Sequence, residues 1–306
     1  MNRRSFARFA WFFVAYLVAV ILFGAWVRIS GSGNGCGSHW PACNGAVIPP
    51  APGTGTLIEY THRLMSGLSV VFALAVVIWA RRFGRAVFRA ALLALFFLIV
   101  EALLGALLVK AHLVVNDASV ARALVVALHL VNTLLLTASA ALTAWRARSP
   151  TAPEDAAPVS ASRLLLGLGL AALVLTCMSG AVTALGDTVF PARPALDGSL
   201  LTTIRAGASP GQHFLVRLRV LHPLVAVGAV MLVAGVLLRI VTGRVNAGPA
   251  QCQLAALAFA AVILQTGLGF VNVLLAAPGW LQIVHLLLAQ TVWISTWLVF
   301  LAARRT

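Results

Sequence analysis

Apolar residues run through this chain in eight long blocks, near 9–27, 60–80, 87–109, 122–145, 163–185, 216–240, 252–275 and 281–302, with short polar stretches between them. Each block is about 20 residues long, the length an α-helix needs to cross roughly 30 Å of hydrocarbon at about 1.5 Å per residue. The ten-residue alternation of a membrane β-barrel is missing. The pattern predicts an all-α, polytopic membrane protein with eight transmembrane helices.

Composition strengthens that reading. Of 306 residues, 61% are hydrophobic and 9% charged, with a mean hydropathy of +0.99, more apolar surface than a soluble domain can hide. The first apolar run, Ala10 to Val27, follows Arg3, Arg4 and Arg8 and reads as a retained span rather than a cleaved signal. A net charge of +15 raises the question of nucleic acid, but the basic residues cluster at the ends of spans, so the expected partner is the lipid bilayer and not nucleic acid. Fourteen of the 22 basic residues fall on one set of ends: Arg3, Arg4, Arg8, Arg81, Arg82, Arg85, Arg89, Arg146, Arg148, Arg163, Arg239, Arg244, Arg304 and Arg305. That excess places both termini in the cytoplasm of a multi-pass cell-membrane protein.

The chain also divides and repeats. Residues 149–162, SPTAPEDAAPVSAS, are polar and Pro/Ala-rich and read as a cytoplasmic linker. It separates a four-helix bundle at 1–148 from another at 163–306. Gly24-Ala25 matches Gly180-Ala181 at an offset of 156, and Glu101-Ala-Leu-Leu-Gly105 matches Gln265-Thr-Gly-Leu-Gly269 at 164. His62 pairs with His222 at 160, and His129 with His285 at 156. Such steady offsets indicate a duplicated unit, both copies inserted in the same sense.

Those four histidines are the strongest chemical signal. His129 and His285 lie about seven and four residues into their spans, roughly 6–11 Å deep at 1.5 Å per residue, and all four fall toward the outer face. The second and fourth helices of each unit can aim their imidazoles at one another, as a bis-histidine heme site requires. The pairs are His62 with His129 and His222 with His285. Core histidines bonded across helices are the plainer alternative, and four at one depth in duplicate argue against it. Zinc or copper would need carboxylate or thiolate company, which is sparse in the spans. His39, His112 and His213 read as surface residues.

The first outer loop carries Cys36 and Cys43, a C-x6-C pair in a compartment where disulfides persist, so a bridge is expected. A structural staple and a redox pair both remain open. Gly31 to Gly37 read as a flexible loop, and Cys177 and Cys252 as unpaired packing residues. Glu59 stands three residues before His62 on the same helix face. It completes a capping box from Thr56, or it is a carboxylate beside an iron-bound substrate. The matching position in the second half is Arg219, whose planar fork suits a heme propionate. Arg28, Arg63, Arg122 and Arg217 lie near the same ends, as propionate contacts or as interface anchors. Glu101 is the one acid well inside a span, facing the bundle interior or bonding a neighbouring helix; its counterpart Gln265 is neutral.

The run GAWVRISGSG, then Cys36, Trp40-Pro41, Cys43-Asn44-Gly45 and Glu59-Tyr-Thr-His62-Arg63, resembles the heme A synthase family. ALHLVN at His129, LHPLVA at His222 and VHLLLAQ at His285 are similar to that family's other ligand helices. Gly37, Ser38 and His39 replace the family's usual residues between the cysteines, with the spacing kept. The resemblance implies an oxidoreductase that converts the ring methyl of heme O to the formyl of heme A for cytochrome c oxidase. It implies substrate heme on His62 and His129, a heme b cofactor on His222 and His285, and Glu59 as the catalytic carboxylate. It also implies a heme O-producing enzyme and an electron donor as partners, with a homo-oligomer left open. A diheme b-type electron-transfer protein and a heme carrier or exporter are the rival readings.

Overall fold

The computed structural model describes residues 2–115, 117–148, 161–192, 207–245 and 247–303. Its helices are α1 (Arg3–Ile29), α2 (Thr54–Ala80), α3 (Arg85–Lys110), α4 (Val120–Arg148), α5 (Ala161–Val189), α6 (Phe214–Leu218), α7 (Leu221–Val241), α8 (Pro249–Leu274) and α9 (Gly279–Ala302). Among the described residues eight spans are long and apolar enough to cross a membrane, α6 and α7 counting as one. The protein is a multi-pass, all-helical membrane protein.

The chain forms two compact units, Met1–Thr151 and Ala152–Thr306. In the first, α1 packs on α2, α2 on α3, α3 on α4 and α4 back on α1, closing a four-helix ring. In the second, α5, α7, α8 and α9 close the same kind of ring. Of the expected linker, 149–160 lies outside the described residues, as do Arg193, Arg205, Arg304 and Arg305; Ala161 and Ser162 already belong to α5.

Packing follows the solvent. Lipid is as apolar as leucine, so burial gives helices no hydrophobic reason to associate, and small residues that let backbones approach line the contacts instead. Ala90, Ala91 and Ala94 of α3 and Ala140, Ala141, Ala144 and Ala147 of α4 are buried. Large residues point outward: Leu64, Leu68, Val71, Leu74 and Ile78 form an exposed stripe along α2 at helical spacing.

Local chemistry sets the helix ends. Asn2 accepts the Ser5 amide at 2.9 Å to cap α1, and the Ser119 hydroxyl accepts the Arg122 amide at 3.1 Å at the start of α4. Pro249 opens α8, where its missing N–H costs nothing. The expected span 216–240 is present as one membrane-length segment, Phe214–Val241, interrupted between α6 and α7. Pro223 lacks an N–H and its ring clashes with the carbonyl four residues back, that of Arg219, so the helix breaks between Leu218 and Leu221. Phe214 moves the start of this span outward, and α2 likewise begins at Thr54, six residues before the expected start.

Candidate functional site

The four histidines project from α2, α4, α7 and α9, each close to the end at which its span begins. His62 is eight residues past the start of α2 and His129 nine past that of α4, roughly 12–14 Å along the helix. Each imidazole of the first pair leans on a neighbouring helix. A Cβ placed on Gly24 of α1 would lie 2.9 Å from His62 Cε1, so only glycine lets the ring occupy that notch. Phe23 stacks on the same ring, centroids 6.3 Å apart at 17°. His129 Nδ1 lies 3.5 Å from the Glu101 carboxylate of α3, an ion-pair approach rather than a formed hydrogen bond.

The second unit repeats the arrangement. A Cβ on Gly180 of α5 would also lie 2.9 Å from His222 Cε1, and one on Gly269 of α8 would lie 3.2 Å from His285 Cε1. Ser179, where the first unit has Phe23, places its hydroxyl 3.1 Å from His222 Nδ1. Gln265 sets its amide nitrogen 3.2 Å from His285 Nε2. The His222 and His285 rings face each other with centroids 6.5 Å apart.

These features fit an iron porphyrin. Two imidazoles sharing one metal at about 2 Å per nitrogen put their ring centres roughly 6 Å apart, close to the spacing in the second unit. The Nδ1 atoms of His62, His129 and His285 are buried with no hydrogen-bond partner, orphaned polar atoms that set these rings apart from fully satisfied core histidines. Among the described residues no group of three or more His, Cys, Asp or Glu side chains converges, so a protein-only zinc or copper cage is not built here.

At the same end of the first unit, the loop between α1 and α2 is clasped onto α2. Glu59 is buried; its Oε2 accepts the Cys36 amide at 2.9 Å, and its Oε1 pairs with Arg63 Nη2 at 2.5 Å. Arg63 also donates to the carbonyls of His39 at 2.7 Å and Ala42 at 2.6 Å. Thr56 donates to the Gly35 carbonyl at 2.7 Å. The capping-box reading of Thr56 and Glu59 is therefore overturned: α2 starts at Thr54, already before Thr56, with Gly53 as its cap, and Glu59 reaches into the loop. The glycine run is likewise a clasped series of turns rather than a loose loop, since Gly35 sits so close to Gly55 that a Cβ would fall 2.4 Å from the Gly55 carbonyl. Cys36 and Cys43 are joined within this loop, Cα atoms 4.4 Å apart. Cys177 and Cys252 are not disulfide-bonded.

The arginines proposed for propionates are largely engaged with backbone. Arg122 donates to the carbonyls of Val115 at 2.7 Å and Asp117 at 2.6 Å. Arg219 donates to the Gly186 carbonyl at 2.6 Å and to that of Phe190, and pairs with Asp187 at 2.8 Å. Arg28 sits in the last turn of α1, and Arg217 is exposed on α6. His213, expected as a plain surface residue, caps α6 by accepting the Leu215 amide at 3.3 Å. Glu101 bonds a neighbouring helix: it accepts from Asn132 at 2.6 Å and from Thr133, both on α4.

A family model described as cytochrome oxidase assembly protein matches residues 7–297. The chain belongs to that family. Heme A synthases are among its relatives: one from Lysinibacillus sphaericus is 43% identical over 102 residues, 31% of this chain and 33% of that protein. Another, from Halalkalibacterium halodurans, is 44% identical over 93 residues, 29% of this chain and 31% of that protein. A protein from Thermus thermophilus named protoheme IX farnesyltransferase is 47% identical over 304 residues, 97% of this chain and 48% of that protein. The chain thus spans about half the length of the Thermus relative, and the heme A synthase membership expected from the cysteine loop and Glu59-x-x-His62-Arg63 stands.

Proposed function

We propose that the chain is a heme A synthase, oxidising the ring methyl of heme O to a formyl group. The observation that carries this reading is the duplicated imidazole pair, each ring on the second helix set in a glycine notch, with the two units furnished differently around it. His222 and His285 both have neutral hydrogen-bonding neighbours, Ser179 and Gln265, as suits a resident heme b. His62 has Phe23 stacked on its ring where His222 has the Ser179 hydroxyl, as suits a heme that enters and leaves as substrate and product. The iron porphyrin supplies the redox chemistry when bound. His62 with His129, and His222 with His285, would hold it and set its orientation. Glu59 is the proposed catalytic carboxylate: Arg63 and the Cys36 amide fix its position one turn before His62, where it can balance positive charge or accept a proton. The Cys36–Cys43 bridge shapes the mouth of this site, and both termini lie in the cytoplasm, with the heme sites toward the outer face.

The name of the Thermus relative raises a farnesyl-transfer reading. Transfer from a prenyl diphosphate calls for Mg2+ bound through carboxylates and phosphates. The chain's seven acids, Glu59, Glu101, Asp117, Glu154, Asp155, Asp187 and Asp197, are scattered, and the one adjacent pair lies in the linker. We assign farnesyl transfer to the part of that relative this chain does not match, which makes a heme O-producing enzyme the natural partner.

Co-expression with such an enzyme, followed by pigment extraction, chromatography and mass measurement, tests the reading. The expected product is a porphyrin carrying the formyl group in place of the methyl. Two permanent hemes b and no modified heme would indicate a diheme electron carrier instead, and one exchangeable heme without product would indicate a carrier or exporter.

A further inference from the structure

Glu101 is the acid that the reaction scheme above leaves unused. Its carboxylate is held on α4 from three sides: Asn132 Nδ2 at 2.6 Å, the Thr133 hydroxyl, and His129 Nδ1 at 3.5 Å. Asn132 and Thr133 follow His129 by three and four residues, so all three share one face of α4. Asn132 is fixed in turn by donating its other amide hydrogen to the Phe97 carbonyl at 2.8 Å. A carboxylate within a span is expensive, and this one is kept by a dedicated set of donors.

The second unit shows what the frame needs without that set. At the positions of Glu101, Asn132 and Thr133 stand Gln265, Leu288 and Ala289. The acid and both of its supports are absent together, while the histidine and the helix pair remain. Helix packing therefore does not demand the carboxylate. Partners on the far nitrogen of a metal-bound imidazole fix its tautomer and raise its basicity; His129 Nδ1 faces the Glu101 carboxylate, whereas His285 Nδ1 has no hydrogen-bond partner and Gln265 lies at its other nitrogen, Nε2. Glu101 addresses Nδ1 and leaves Nε2 of His129 free for iron.

We propose that Glu101, held by Asn132 and Thr133, is the positioning residue that gives His129 an anionic partner, making it a stronger electron donor to the heme of the first unit than His285 is to that of the second. This rests on the heme reading above. A more donating imidazole favours the oxidised iron, so the first-unit heme takes the lower potential of the two.

The test is an optical redox titration of the full chain carrying both porphyrins, comparing wild type with Glu101→Gln. The expected result is that the first-unit heme becomes easier to reduce by about one tenfold step in equilibrium constant, 59 mV for one electron, while the second-unit heme does not move. Asn132→Leu with Thr133→Ala, which imitates the second unit, shifts the same heme in the same direction. Glu101→Asp, which keeps the charge, stays near wild type, and this variant decides the matter if Glu101→Gln folds poorly. A fully loaded Glu101→Gln whose first-unit potential and absorbance match wild type overturns the proposal, as does a Glu101→Asp variant displaced as far as Glu101→Gln. A wild-type chain that holds no porphyrin overturns the heme reading itself, and this inference with it.

Discussion

Gly24 against His62 and Gly180 against His222 are one contact made twice: in each, a Cβ would fall 2.9 Å from the ring. Around that shared contact the two units diverge. The residue before the glycine is Phe23, stacked on the imidazole, in one unit and Ser179, bonded to it, in the other. The third-helix neighbour is Glu101 in one and Gln265 in the other. The residue three before the second-helix histidine is Glu59 in one and Arg219 in the other. This last pair is instructive, because opposite charges do mirrored mechanical work. Glu59 accepts an amide from the chain leaving α1, and Arg219 donates to the carbonyls at the end of α5. A charge reversal at that position thus has a tethering explanation before it has a chemical one. The differences that touch the imidazoles themselves are the better guide to function.

Filling the notches breaks the comparison most severely. Gly24→Leu should abolish porphyrin binding in the first unit alone, and Gly180→Leu in the second alone, each halving the heme recovered per chain by pyridine hemochrome assay. A loss of both hemes from either variant would mean that the notches serve global packing. Removing the disulfide acts on one unit only. Cys36→Ser should lower the stability of the first unit by roughly 2.5 kcal/mol, the entropy cost of an open loop of this size, and shift its melting transition in detergent. Glu59→Gln should cost about 1–3 kcal/mol through the weakened bonds to Arg63 and Cys36, since hydrogen bonds to charged groups are the stronger kind. If it also binds heme and forms product at the wild-type rate, Glu59 is a tether and not a catalyst. Smallest is Ser179→Ala, about 1 kcal/mol for one neutral hydrogen bond, read as faster loss of the second-unit heme to an apo-globin acceptor.

Hydropathy and basic-residue placement made the eight helices legible, because crossing lipid fixes both length and composition. The repeat offsets located Gly24 and Gly180 without revealing their use, since a glycine notch depends on which helix lies opposite. Glu59 was visible as a candidate, yet its partners were misread: a pattern of i and i+3 positions describes one helix, and its contacts lie in a loop 23 residues away. Asn132 and Thr133 give no local signal for the same reason, since their contacts with Glu101 run from one helix to another. The repeat does carry the signal: polar Asn132 and Thr133 in one copy stand against apolar Leu288 and Ala289 in the other.

The most direct measurement is the porphyrin content and absorbance of two double variants, His62→Ala with His129→Ala and His222→Ala with His285→Ala, purified from cells that make heme O. The first should retain only heme b and form no product, and the second should lose the heme b spectrum. Absorbance unchanged in the second variant, or porphyrin absent from the wild-type chain, would contradict the account.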